Sequence, residues 1–412
     1  MHNARIFGDI RAVYVKEENM ENDNVKKSKN SFWHELLHPS EKVVFRTKGG
    51  IDKQFLIIVS ILIGFGSIMV FSAGYVYASK FFGDSFYVIK RQLLFAVIGV
   101  AVMILLANID YALLKRFTLP IFAVSYILLL LVIIPGVGTT TNGATRWLDI
   151  GIIQFQPSEV AKFALILFLA TYVSFFEDKI KSFKYGILFP ALVIGAVCVA
   201  TMLEHHMSGT IIIFLIGACM IFLSGADWRW LAAIGGTFAA GALGIVLFTD
   251  YTKDRIDAWL HPENDLLGKG WQPYQSLLAI GSGGLFGVGL GNSYQKQLWL
   301  PEPQNDFIFA VICEELGLIG AVAVIVLFFL LIRRGLIIAR RAPDTFSTML
   351  AMGLTAKVGI QAILNIAVVT ASIPTTGISL PFFSYGGSAL VMQLAEMGII
   401  LSISRYSRQR EI

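Results

Sequence analysis

Apolar residues fall along this chain in long runs with few polar interruptions, not at the helical or two-residue periods of half-buried elements. The runs lie near residues 54–75, 92–109, 118–135, 159–176, 186–203, 207–224, 229–249, 307–332, 346–373 and 386–403. Most approach the roughly 20 residues that a helix needs to cross a bilayer. Backbone in a bilayer must satisfy its own hydrogen bonds, which selects helices. The alternating pattern of a membrane β-barrel is absent. The pattern therefore predicts an all-α, polytopic integral membrane protein with about ten transmembrane helices. Only "LEHHMSG" separates 186–203 from 207–224, so a single broken helix is the alternative there.

The polar intervals give the organisation. Residues 1–50 contain "VKEENMENDNVKKSKN" and read as a solvated, disordered tail. Residues 51–406 form the membrane domain, and 407–412 a second short tail. Cations concentrate in alternate connections: "LLKRF", "EDKIKSFK", "DWRW", "RRGLIIARR" and the terminal "SRYSRQREI". The positive-inside rule places these, and both termini, in the cytoplasm of a multi-pass protein of the cell membrane. Lys90 and Arg91 are the exception, at an outer boundary. The longest connection, 250–306, lies between helices 7 and 8 and is extracellular on this topology. Its stretch "SLLAIGSGGLFGVGLG" is too short and Gly-rich to span, and reads as re-entrant or interfacial. Loops 136–156 and 374–385 face the same side. Trp147, Trp259, Trp271 and Trp299 fall near that boundary, as interfacial anchors do.

Composition sharpens this only slightly. The chain is 56% hydrophobic and 15% charged, with mean hydropathy +0.69; a soluble domain carries about a quarter charged residues. Net charge is a modest +5, and no nucleic-acid partner is expected. Three cysteines sit in apolar runs without pairing or metal spacing. The adjacent His205 and His206 point apart on a helix, which disfavours joint metal ligation.

Against this background a few polar motifs stand out. "LPEPQNDFIFAVICEELG" puts Glu302 and Asp306 before a span and Glu314 and Glu315 within it. Asn305 or Asp306 could simply cap the helix. Capping does not explain Glu314, about 12 Å deeper at 1.5 Å per residue, where a carboxylate costs roughly 3 kcal/mol unless it faces protein or water. A polar cavity opening outward beneath Asp306 is the simplest arrangement. Asp306 would there act as a general base or hold a cation. In "QFQPSEVAK", Pro157 suits a helix start, and Glu159 and Lys162 share a face. They form an internal ion pair or, with Arg146, Gln156 and Ser158, a site for an anionic headgroup. "GSGGLFGVGLGNSYQK" lacks the context of a nucleotide loop; Lys296 at its end is a candidate phosphate contact. "IPTTGISLPFFSYGGSAL" breaks any helix and is either a structured turn or a cavity lining.

In this order, "GATRWLDIGIIQFQPSEVAK", "GWQPYQSLLAIGSGGLFGVGLGNSYQK", "LPEPQNDFIFAVICEELG" and "PTTGISLPFFSYGGSAL" resemble the SEDS family of shape, elongation, division and sporulation proteins (FtsW, RodA and SpoVE). The resemblance covers roughly residues 50 to 405 and is nearest to the FtsW-like members. It implies a peptidoglycan glycosyltransferase that polymerises lipid II onto an undecaprenyl-diphosphate-linked glycan. It also implies a class B penicillin-binding protein as partner, within the divisome or elongasome, and Asp306 as the essential acid. Arg146, Lys162, Lys296 and Arg255 are then candidates for the diphosphate, alone or with Mg or Mn, for which Asp306 is a candidate ligand. Gln156, Ser158, Glu159, Gln275, Glu302 and Ser384 are candidates for the headgroup. Thr376 stands where many division-type members carry Lys. A lipid II flippase and a scaffold that activates the penicillin-binding protein are the alternatives.

Overall fold

A computed structural model describes residues 47–407, apart from 135–136, 142–143, 150–153, 205, 228, 231, 234, 237–258, 262–263, 265–267 and 269. Among the described residues the helices are α1 (Lys53–Phe82), α2 (Tyr87–Asn108), the short α3 (Ala112–Arg116), α4 (Thr118–Ile133), α5 (Pro157–Phe175), α6 (Phe189–Leu203), α7 (Met207–Leu223), α8 (Trp271–Gly283), α9 (Ile308–Arg341), α10 (Thr345–Val369) and α11 (Gly387–Ser404). Seven segments are long and apolar enough to cross a membrane, and α4 and α7 are shorter apolar helices. They match nine of the ten expected spans, and α6 and α7 are separate helices. The expected span 229–249 and most of its flanks lie largely outside the described residues, as do Arg255 and the tail 1–46.

The chain is a multi-pass membrane protein, and its burial pattern is inverted accordingly. Every residue of α5 from Pro157 to Val173 except Val160 is buried, as befits a helix ringed by others. The peripheral α1, α2 and α9 expose Ile57, Val97 and Phe329 at 57%, 69% and 63%, surface that only lipid or another apolar partner would cover favourably.

The two ends of the described segment are tied together. Strands β1 (Thr47–Lys48) and β5 (Tyr406–Ser407) pair antiparallel. Beside them Asp52 caps α1 by accepting from the Phe55 amide at 2.9 Å. Asp52 also receives the Arg334 guanidinium of α9 at 2.6–3.0 Å. Asp344 closes a capping box on α10 with Ser347. The connection 136–156 contains a small antiparallel sheet, β2 (Gly138–Thr141), β3 (Ala144–Asp149) and β4 (Gln154–Phe155), in that order, which delivers the chain to Pro157 at the start of α5.

The Gly-rich stretch after α8 is seated in a break of α9. At Gly317 the helix takes φ 66°, ψ −163°. The exposed backbone pairs with the stretch like a short ladder: Val288 and Gly289 amides donate to Glu314 and Glu315 carbonyls at 2.9 and 3.0 Å, and Leu318 donates to Gly284 at 2.9 Å. Gly287 and Gly317 face each other so closely that a Cβ on Gly287 would lie 2.2 Å from the Glu315 carbonyl oxygen, so only glycine fits. The outward cavity expected between Asp306 and Glu314 is not formed by these acids. Glu314 instead accepts from Ser293 Oγ and the amides of Tyr294 and Gln295. Glu315 takes Lys296 Nζ at 2.7 Å and Ser72 Oγ at 2.7 Å. The two buried carboxylates hold the inserted segment, the cheapest arrangement for charges that deep.

Candidate active site

Asp306 is presented by a tight turn just ahead of α9. Glu302 adopts φ 45°, a left-handed conformation that side chains seldom take, and its carbonyl accepts from the Asn305 amide at 3.0 Å. The Asn305 side-chain amide then donates to the Glu302 carboxylate at 3.0 Å. The residue entering α9 is Phe307, and no side chain caps the helix. Capping therefore does not account for Asp306: its half-buried carboxylate is left to face the site.

The opposite wall is the irregular segment between α10 and α11. Three contacts stitch it to the Asp306 turn. Asn365 Nδ2 on α10 donates both to the Asp306 carbonyl at 2.8 Å and to the Ile378 carbonyl at 2.6 Å. Ser384 Oγ donates to the Asn305 carbonyl at 2.7 Å and accepts from the Leu380 amide at 2.7 Å. The Tyr385 amide donates to the Gln304 carbonyl at 2.8 Å. Gly377, with φ +68°, lies against the carboxylate: a Cβ there would be 3.2 Å from Asp306 Oδ2. Gly377→Ala is expected to cost about 1–2 kcal/mol through its positive φ. It is also expected to crowd the carboxylate and lower activity about tenfold. Thermal midpoint and turnover of the purified variant check both.

The electrostatics around Asp306 are unequal. Burial, and then the Glu302 carboxylate, push its carboxyl up to about 6 against the opposing pull of Arg146 on β3. Arg146 Nε is buried without a hydrogen-bond partner. The turn between α6 and α7 adds unpartnered polar groups. Both Glu204 oxygens and His206 Nδ1 are buried and unbonded. Burial pushes Glu204 up to about 8, and burial, then Arg146 and Lys162, push His206 down to about 3. The same turn reaches the far wall, where Ser208 Oγ donates to the Thr376 carbonyl.

The other sequence candidates separate into two groups. Glu302, Arg146 and Ser384 gather at Asp306. Lys162 and Lys296 do not stand as free cations. Lys296 is paired with Glu315 and both are buried, held there by the seated glycine segment. Lys162 pairs with Glu159 at 2.5 Å. Glu159 also meets Lys357 of α10 at 3.5 Å, and Lys357 pairs with Glu396 of α11 at 2.6 Å. This four-charge cluster is neutral overall, and its position among α5, α10 and α11 makes it a structural tie. Ser158 is buried with an unpartnered Oγ, and half-buried Gln156 gives its carbonyl to the Glu159 amide. Gln275 is buried on α8, whose neighbouring Ser276 Oγ binds the Val369 carbonyl at 2.7 Å.

Asn365, Gly377, Lys357 and Glu396 were not singled out by sequence. A signal for part of this was present. Lys357, Gln361 and Asn365 recur every four residues in an apolar span, a polar stripe that lipid would not tolerate.

Comparison with known proteins decides the family. The model of the family described as "Cell cycle protein", covering FtsW, RodA and SpoVE, matches residues 53–409. The chain belongs to the FtsW/RodA/SpoVE family. It is 44% identical over 361 residues to Stage V sporulation protein E of Bacillus subtilis (strain 168), covering 87% of this chain and 98% of that protein. It is 40% identical over 360 residues to a probable peptidoglycan glycosyltransferase FtsW of Geobacter sp. (strain M18), covering 87% and 98%. Among solved structures, one described as "Structural coordination of polymerization and crosslinking by a peptidoglycan synthase complex" superposes with TM-score 0.71 at 27% identity, over 86% of this chain and 98% of that one. The rod shape determining protein RodA of Thermus thermophilus superposes with TM-score 0.64 at 27% identity, over 86% and 97%. All four motifs of the SEDS resemblance lie within the matched residues.

Proposed function

We propose that this chain is a peptidoglycan glycosyltransferase that polymerises lipid II at the outer face of the cell membrane, with both termini in the cytoplasm. The observation that carries the reading is the Asp306 carboxylate: it caps nothing, its basicity is raised, and Arg146 stands beside it as a cation without a buried partner for Nε. The activity named for its FtsW relatives and the four matched motifs support the same reaction class.

The acceptor is the sugar 4-hydroxyl of lipid II. Asp306 takes the hydroxyl proton as the oxygen attacks C1 of the donor glycan. The C1–O bond to phosphate breaks, and undecaprenyl diphosphate leaves with the electron pair. One displacement inverts the anomeric centre. A diphosphate is a good enough leaving group to need no second carboxylic acid of the kind a glycosidase uses. Arg146 stabilises charge developing on the diphosphate. Lys162 and Lys296, committed to buried pairs, act on the scaffold instead.

Among the described residues no three acid, histidine or cysteine side chains form a metal-binding group. Glu302 and Asp306 do supply the one or two carboxylates that suffice when substrate phosphates complete the shell of a magnesium-like ion. A bound divalent cation would add charge stabilisation at the diphosphate.

A class B penicillin-binding protein is the partner that would crosslink the product. The test is polymer formation from lipid II by the purified complex. Polymer from the wild type supports a glycosyltransferase. No polymer from an intact complex would instead favour a flippase or an activating scaffold. A base must be ionised, so kcat/KM should rise about tenfold per pH unit below pH 6 and level off above it. An acid limb near pH 4 would mean that a well-solvated carboxylate, not Asp306, is the base.

A further inference from the structure

We infer that Asn365 is a positioning residue for this reaction, fixing Asp306 against the wall that carries Gly377. The inference rests on the proposed role of Asp306 as base.

Both walls of the site are irregular backbone, so no helix sets the distance between them. The Asp306 turn carries the left-handed Glu302, and the facing segment carries the left-handed Gly377 and Phe382. Two of the three contacts joining them, from Ser384 and Tyr385, grip residues 305 and 304. Asn365 grips Asp306 itself, and with the same amide it holds Ile378, the neighbour of Gly377. Both partners are carbonyl oxygens and only accept, so only the side-chain nitrogen can face them; the orientation of the amide is thereby settled. Asn365 is fully buried at 0% exposure. Its two N–H groups match two acceptors set at 2.8 and 2.6 Å. No apolar, acidic or hydroxyl side chain of that size offers two donors at one atom.

The asparagine thus converts the rigidity of α10 into a fixed separation between the base and the opposing wall. A purely structural residue would affect how much protein folds. A positioning residue changes the turnover of the protein that does fold, because misplacing a reacting group by about 1 Å costs about 100-fold.

The experiment uses the full chain purified with its penicillin-binding partner, with lipid II as substrate, comparing Asn365→Leu, Asn365→Gln, Asp306→Asn and wild type. Each is first checked for thermal midpoint and partner binding. For folded Asn365→Leu, kcat should fall about 100-fold while KM stays within about threefold. Its acid limb should move to lower pH, because a loosened carboxylate is better solvated between Glu302 and Arg146. Asn365→Gln keeps both donors on a longer stem and should recover about tenfold of the loss. If Asn365→Leu does not fold, Asn365→Gln alone decides: a kcat loss at constant KM supports the inference. Full wild-type kcat with an unmoved acid limb in a folded variant overturns it. Loss of polymer in Asp306→Asn together with full activity in Asn365→Leu sinks only the positioning role. Polymer from Asp306→Asn removes the base reading itself.

Discussion

Asp306→Asn is expected to lower glycan polymerisation on the order of 10³-fold, the scale of a lost general base, while leaving the fold and partner binding intact. The amide is isosteric with the carboxylate and makes no demand on Gly377 or Arg146, but it cannot take the acceptor proton. Asp306→Glu should also fall about 100-fold, because a longer side chain would displace the carboxylate from its place beside Gly377. The same substitution to Asn should make the protein melt higher at pH 8. Folding raises the Asp306 carboxyl from its ordinary value of 3.8 to about 6. A group raised by folding contributes stability below its unfolded value and loses it as pH climbs through the folded value. Above pH 6 the ionised carboxylate is therefore a burden that asparagine removes, and the gap should close near pH 4. Thermal midpoints at both pH values, set beside polymer yield, separate a stored functional cost from simple misfolding. An Asp306→Asn variant that melts lower at pH 8 would mean that the carboxylate has a partner holding it.

Lys357→Met carries the largest expected loss of stability. Lys357 and Glu396 are both 0% exposed and pair at 2.6 Å. Removing the lysine strands Glu396 among α5, α10 and α11; leaving a buried charge without its partner costs about 3–5 kcal/mol. Glu159 suffers less, since Lys162 stays at 2.5 Å. The double change Lys357→Met with Glu396→Leu should recover most of the loss, because replacing a buried pair by apolar side chains of similar volume is often neutral. Unfolding in detergent resolves the cycle. If the single and double variants are equally unstable, the cluster does not act as a coupled pair.

The sequence alone determined the architecture. Bilayer physics leaves a run of about 20 apolar residues one solution, so nine of the expected spans appear, although α1 (Lys53–Phe82) and α9 (Ile308–Arg341) run well past the predicted ends at 75 and 332. It also isolated Asp306, because an acid at a span boundary with further acids behind it is costly enough to need a reason. The Glu159–Lys162 pair was legible for the same cause, since i,i+3 spacing places both charges on one face.

The roles of the remaining charges were decided by the tertiary structure. Lys296 looked available for phosphate because nothing in its local sequence shows Glu315 reaching it across the break at Gly317. Glu314 and Glu315 had to face protein or water at that depth, and only the packing shows that they face the inserted glycine segment and hold it. Lys357, Glu396 and Asn365 lie on separate helices from the groups they serve, and long-range pairing leaves no local pattern beyond a polar stripe. Local sequence fixes which residues are too polar to leave unpartnered in a membrane. Which partner each one finds depends on how the helices pack, and that packing separates the free Arg146–Asp306 site from the charges that merely hold it in place.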